Sequence, residues 1–185
     1  MRHLTVHTME TAPEASRPLL EGAKRKNGFI PNLLGVLAEA PAALEAYISV
    51  SDLLAKSSLT AAERETVLIA ASIRNGCDYC VAAHSTIARM QKVPEEVIEA
   101  LGEERPIPDP RLEALRRFTE TLVEKRGWAS EQEVRTFLDA GFSRSQVLEV
   151  VLGVTLKTLS NYTNNLVDTP LDKAFAGAQR VPKAG

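Results

Sequence analysis

A chain of 185 residues is the size of one domain, or of one domain built from two small related halves. At 44% apolar and 25% charged it is not an intrinsically disordered chain, and aromatics at 5% leave Leu, Val, Ile and Ala to build most of the core. Its 22 basic and 24 acidic side chains, mixed along the sequence, leave no electrostatic footprint for nucleic acid or an anionic membrane surface.

No stretch reaches the roughly 18 apolar residues of a membrane span. Residues 1–16 have Arg2 as their single strong base and lack an apolar block, so no secretory signal is expected and the expected setting is the reducing cytoplasm. Helical periodicity runs through the chain and no alternating strand stands out, which predicts an all-α protein. Glu14 to Lys26 reads as a first helix stopped by Asn27-Gly28. Pro31 to Ala38 is a short helix, and Pro41 to Lys56 a longer one with proline in its first turn. Thr60-Ala61-Ala62-Glu63 is a capping box opening a helix that ends at Asn75-Gly76, a pair that tolerates left-handed backbone. A helix from Cys77 to Met90 follows, then Pro94 to Leu101, a proline-rich linker from Arg105 to Pro110, and an amphipathic helix from Leu112 to Lys125. Ser130 caps a helix to Ala140-Gly141. Ser143 to Val167 is long and very apolar, with a break expected near Asn161, and Pro170 to Phe175 forms a last turn before a tail expected to fray from Gly177.

An offset of 83 residues superimposes Thr60 on Ser143, Glu63 on Gln146, and Cys77-Asp78-Tyr79-Cys80 on Ser160-Asn161-Tyr162-Thr163. This suggests an internal duplication within a single domain, 1–185. The half at about 14–104 would carry the chemistry, and the related half at about 110–176 would be scaffold.

Cys77 and Cys80, the two cysteines of the chain, form one CxxC. As a staple so short a loop is worth only about 2 kcal/mol, so chemistry explains the pair better. Three apart on a helical turn, the sulfurs share a side and can bond. Cys77 follows Asn-Gly at a helix N-terminus, where free amides and the helix dipole favour thiolate. His84, four residues beyond Cys80, lies on the same face and can take its proton. Glu65 would stand roughly 18 Å before Cys77 on a straight helix, too far to help. A reversal at Asn75-Gly76 would instead bring its carboxylate to His84 and let it orient the ring. Zinc competes with this redox reading, because CxxC-x3-H offers three ligands and Glu65 a fourth. Structural zinc sites more often draw ligand pairs from separate elements, and here the other histidines are His3 and His7 near the start. Plain packing of two small thiols is the third reading.

The spacing Glu65, Cys77, Cys80, His84, within Thr60-Ala61-Ala62-Glu63-Arg64-Glu65 and Asn75-Gly76-Cys77-Asp78-Tyr79-Cys80-Val81-Ala82-Ala83-His84, resembles the alkylhydroperoxidase D (AhpD) branch of the carboxymuconolactone decarboxylase-like superfamily. The resemblance implies an AhpD-like helical bundle with internal duplication, assembled as trimers or hexamers. It also implies a thiol-dependent peroxidase with no cofactor and no metal. The partners would be a peroxide substrate and a thiol reductant or redox protein as electron donor. Cys80 would be the peroxidatic thiol, Cys77 the resolving thiol and proton donor, and His84 and Glu65 the proton relay. Tyr79 departs from the best-known peroxidases, which place a histidine just before the second cysteine. The decarboxylase branch typically lacks the cysteine pair, so its reaction fits poorly. A disulfide reductase or adaptor in peroxide defence is the redox alternative, and a non-enzymatic zinc-binding or packing protein the alternative outside redox chemistry.

Overall fold

A computed structural model of the chain describes residues 4–178, and the regular structure there is all helical. A 3-10 turn, Glu14–Ser16, leads into α1 (Arg17–Asn27), which stops at Gly28 with φ 82°. Then come α2 (Asn32–Leu37), α3 (Pro41–Ala55), α4 (Ala61–Arg74), α5 (Asp78–Met90) and α6 (Glu95–Gly102). The second part of the chain holds α7 (Pro110–Glu124), α8 (Glu131–Asp139) and α9 (Arg144–Val167), closed by a 3-10 turn at Lys173–Ala178.

Side-chain caps set most of these starts. Thr60 Oγ1 accepts from the Glu63 amide at 3.2 Å, while Glu63 Oε2 accepts from the Thr60 amide at 2.7 Å. The same reciprocal box opens α8 at Ser130–Glu133 and α9 at Ser143–Gln146. Asp109 accepts from the Arg111 and Leu112 amides, so α7 starts at Pro110, earlier than the expected Leu112.

Three expectations change. The first helix splits, because its opening three residues form a tighter turn ahead of Pro18. The break expected near Asn161 is absent and α9 runs unbroken. The Asn161 amide donates to Ser72 Oγ at 3.3 Å and accepts from Asn75 Nδ2 at 2.9 Å, so it bonds across helices and does not compete with its own backbone. The last turn falls at Lys173–Ala178, so Gly177 is in it, and the rest of the expected frayed tail lies outside the described residues, as does His3. His7 is half-buried and bonds Glu39 Oε2 at 2.6 Å.

Helix α4 is the hub and packs against α5, α7 and α9. One core gathers Val67, Ile69, Val81, Leu101, Leu115 and Val150 around a stack of Phe118, Phe137 and Phe142, each neighbouring pair of rings 4.3 Å apart. Aromatics therefore anchor this end, although they are few in the sequence. A second core holds Leu20, Leu33, Leu44, Cys77, Cys80 and Phe175. Gly153 lets α9 approach α4, since a Cβ there would stand 2.7 Å from Val67 Cγ1. That approach carries the C-terminal half of α9 to the cysteines.

Candidate active site

The site starts at the turn between α4 and α5. Gly76 has φ 64°, a left-handed conformation that costs other L-residues about 1–2 kcal/mol. The Cys77 amide donates back to the Ser72 carbonyl at 2.9 Å, and Asn165 Nδ2 donates to the Asn75 carbonyl at 2.8 Å. The chain reverses here, and Cys77 becomes the cap of α5, with Cys80 in its first turn. Ten residues before the turn and eight after it, Glu65 and His84 meet: Glu65 Oε2 lies 2.9 Å from His84 Nδ1, both side chains buried. The other carboxylate oxygen, Oε1, accepts from Gln91 Nε2 at 3.3 Å.

Both thiols are free and almost fully enclosed, at 2% exposure for Cys77 and 1% for Cys80. Asn164 Nδ2, from α9, stands 3.2 Å from Cys80 Sγ and 3.8 Å from Cys77 Sγ, and Ser160 Oγ is 3.8 Å from Cys80 Sγ. Cys80 is held well below the ordinary thiol range. The Cys77 thiol hydrogen bond is the main cause; burial opposes it, and the charges of Lys157 and His84 and the Asn164 amide add to it. Cys77 is pushed up, first by that same hydrogen bond and then by burial and the negative charge on Cys80. Both cysteines sit at the helix N-terminus, but the extra donors and charges converge on Cys80. Tyr47 of α3 is kept protonated by burial and by the charges on Cys80, Glu65 and Cys77.

Tyr79 belongs to a different network. Its hydroxyl donates to Asp172 Oδ2 at 2.5 Å and accepts from the Leu33 amide at 3.3 Å, while Asp172 also accepts from the Asn32 amide. The phenol ties α5 to α2 and to the C-terminal segment, and burial first, then Asp172, pushes its ionisation up. Among the described residues no group of three or more His, Cys, Asp or Glu side chains is disposed to hold a metal ion.

The carboxymuconolactone decarboxylase family matches residues 41–121, the stretch that contains Glu65, Cys77, Cys80 and His84. The chain is also similar, at 26% identity and a TM-score of 0.82, to the AhpD core of a peroxidase-related protein from Ralstonia eutropha JMP134, with 98% of each chain covered. Residues 41–121 thus resemble the carboxymuconolactone decarboxylase family, and the whole chain has an AhpD-like fold. A peroxidase-related protein from Silicibacter sp. TM1040 shares this AhpD-like fold at 20% identity and a TM-score of 0.79, over 95% of this chain and 96% of that one. So does a cysteine-to-alanine variant of the debrominase Bmp8 in complex with 2,3,4-tribromopyrrole, at 15% identity and a TM-score of 0.80 over 96% of each chain. No curated protein matches the sequence.

In this AhpD-like chain the site extends beyond the matched residues. Lys157, Ser160, Asn161 and Asn164 lie on one buried stripe of α9, and Ser160 and Asn164 touch Cys80. The second half is therefore more than scaffold. Its signal was in the sequence: polar residues at i, i+3, i+4 and i+7 on an otherwise apolar helix, on one face. Tyr47 had no such signal. No helix of the described residues is long and apolar enough to cross a membrane.

Proposed function

We propose that the protein is a thiol-dependent peroxidase that reduces hydrogen peroxide or alkyl hydroperoxides through a Cys77–Cys80 dithiol/disulfide cycle. The observation that carries this reading is the asymmetry of the pair. Cys80 is drawn toward thiolate and Cys77 held as thiol, with a buried Glu65–His84 pair at 2.9 Å one helical turn along. His84 takes the Cys80 proton, and Glu65 orients the ring and favours its charged form. The thiolate attacks one peroxide oxygen: an S–O bond forms, the O–O bond breaks, and the departing alkoxide receives the proton that His84 holds. Cys80 is then a sulfenic acid. Cys77 gives its proton to His84 and attacks Cys80 sulfur, the disulfide forms, and hydroxide leaves with that proton as water. Two electrons have passed from the dithiol to the peroxide. A thiol reductant or redox protein returns two electrons and two protons.

Tyr79, bonded to Asp172 and Leu33, takes no part in this relay. Peroxide added to the reduced protein is expected to consume both thiols stoichiometrically. Cys80→Ser should abolish that consumption, and Cys77→Ser should stop at a sulfenic acid trapped by a dimedone-type reagent. Equal trapping in both variants would reverse or remove the assigned roles, and intact thiols in the parent would end the peroxidase reading.

A further inference from the structure

Lys157 is a charged side chain that the relay above does not use. It is 1% exposed, midway along α9, one turn after the Gly153 that lets this helix close on α4. Burying an ammonium costs several kcal/mol unless a negative partner compensates for it. Among the described residues Lys157 forms no ion pair with a carboxylate. Glu65, the buried carboxylate of the site, has Oε2 on His84 and Oε1 on Gln91. Lys157 shares its helix stripe with Ser160 and Asn164, the two residues that touch Cys80 Sγ, and its charge acts on both sulfurs.

We propose that Lys157 is the positioned counter-charge of the Cys80 thiolate, supplied by α9 across the interface with α5. This rests on the reading of Cys80 as the nucleophile. The titratable groups that face Cys80 are Cys77, Tyr79 and His84 from α5 and its cap, Glu65 from α4, Tyr47 from α3 and Lys157 from α9. Of these, Glu65 and an ionised Cys77 or tyrosine oppose a thiolate, whereas a protonated His84 and Lys157 favour it. His84 passes its proton on during the cycle, whereas the relay assigns no proton transfer to Lys157. It therefore holds the thiolate after the proton has moved on. In the disulfide the ammonium loses its partner, so Lys157 also favours the reduced pair and makes the disulfide more oxidising.

The test uses the full chain in a Cys77→Ser background, so that one thiol titrates. Thiolate ultraviolet absorbance and iodoacetamide alkylation are followed against pH. Lys157→Met should raise the Cys80 midpoint by about one unit or more, and the alkylation rate at pH values below the parent's midpoint should fall about tenfold. Lys157→Arg should stay close to the parent, because it keeps the charge. With both cysteines present, Lys157→Met should make the disulfide measurably more reducing in a glutathione equilibrium. Lys157→Gln serves the same comparison should the apolar variant not fold. Coincident midpoints in parent and charge-free variant would overturn the proposal. Cys80 that titrates as expected yet ignores peroxide would instead overturn the peroxidase reading and leave the counter-charge standing.

Discussion

At the residue scale the chemistry is a matter of which sulfur holds the negative charge. The Cys77 thiol, Lys157, His84 and Asn164 all favour it on Cys80, and burial opposes them. A thiol in the unfolded chain titrates near 8.5. Because the folded value lies below this, ionisation of Cys80 adds stability above about pH 8.5, and the gain is lost as the pH falls through the folded midpoint. The alkylation rate follows the same ionisation and should have its midpoint below about 8. In the Cys77→Ser background, whose hydroxyl can still donate to Cys80, His84→Ala should move that midpoint up by about a unit. Glu65→Gln should move it less, since the amide can still hold the ring without favouring its protonated form. Three coincident midpoints, read by alkylation across the pH range, would return Glu65 and His84 to packing residues.

At the element scale the site depends on two helix encounters, and they were unequally legible in the sequence. The α4–α5 reversal could be read, because Asn75-Gly76 admits left-handed backbone and Glu65 and His84 stand at matching distances from it. The capping boxes at Thr60 and Ser130 could be read for the same local reason: each is complete within four residues. What α9 does could not. Its approach to α4 is a contact between Gly153 and Val67, 86 residues apart, and no local pattern encodes such a meeting. Asn161 looked like a break for a related reason, since its partners Ser72 and Asn75 are distant in sequence. The Gly153 encounter makes a stability prediction. Alanine there gains about 1 kcal/mol of helix propensity. Its methyl group, however, meets the fully buried Val67 at 2.7 Å, and overpacking of this kind costs about 1–3 kcal/mol. Gly153→Ala should therefore be destabilising in urea unfolding. Combined with Val67→Ala it should cost less than the two single changes added together. Strict additivity in that cycle would mean that the two positions do not hold the helices apart.

At the scale of the whole molecule, α9 has two faces with different fates. The face bearing Gly153, Lys157, Ser160 and Asn164 is buried, with Gly153 against Val67 and Ser160 and Asn164 against the thiols, while the opposite face is apolar and open. Leu148, Tyr162 and Leu166 are 70%, 61% and 78% exposed, and Tyr162 and Leu166 line a shallow groove with Thr155, Thr158, Leu159 and Thr163. The expectation of a long, very apolar helix thus resolves into one stripe used inside the monomer and one left uncovered. An uncovered stripe along five helical turns, so close in sequence to the site, fits association with further copies of the chain. Light scattering at micromolar concentration should give a multiple of the 20.2 kDa chain mass. Tyr162→Lys combined with Leu166→Glu should shift the protein toward monomer by charging the groove. Because Asn164 lies between those positions on the other side of the same helix, the monomeric variant should also alkylate Cys80 with a higher midpoint than the parent. A parent that scatters as a monomer would refute the assembly. A double variant that becomes monomeric with an unchanged Cys80 titration would show that the monomer alone holds α9, and with it Asn164 and Lys157, against the thiols.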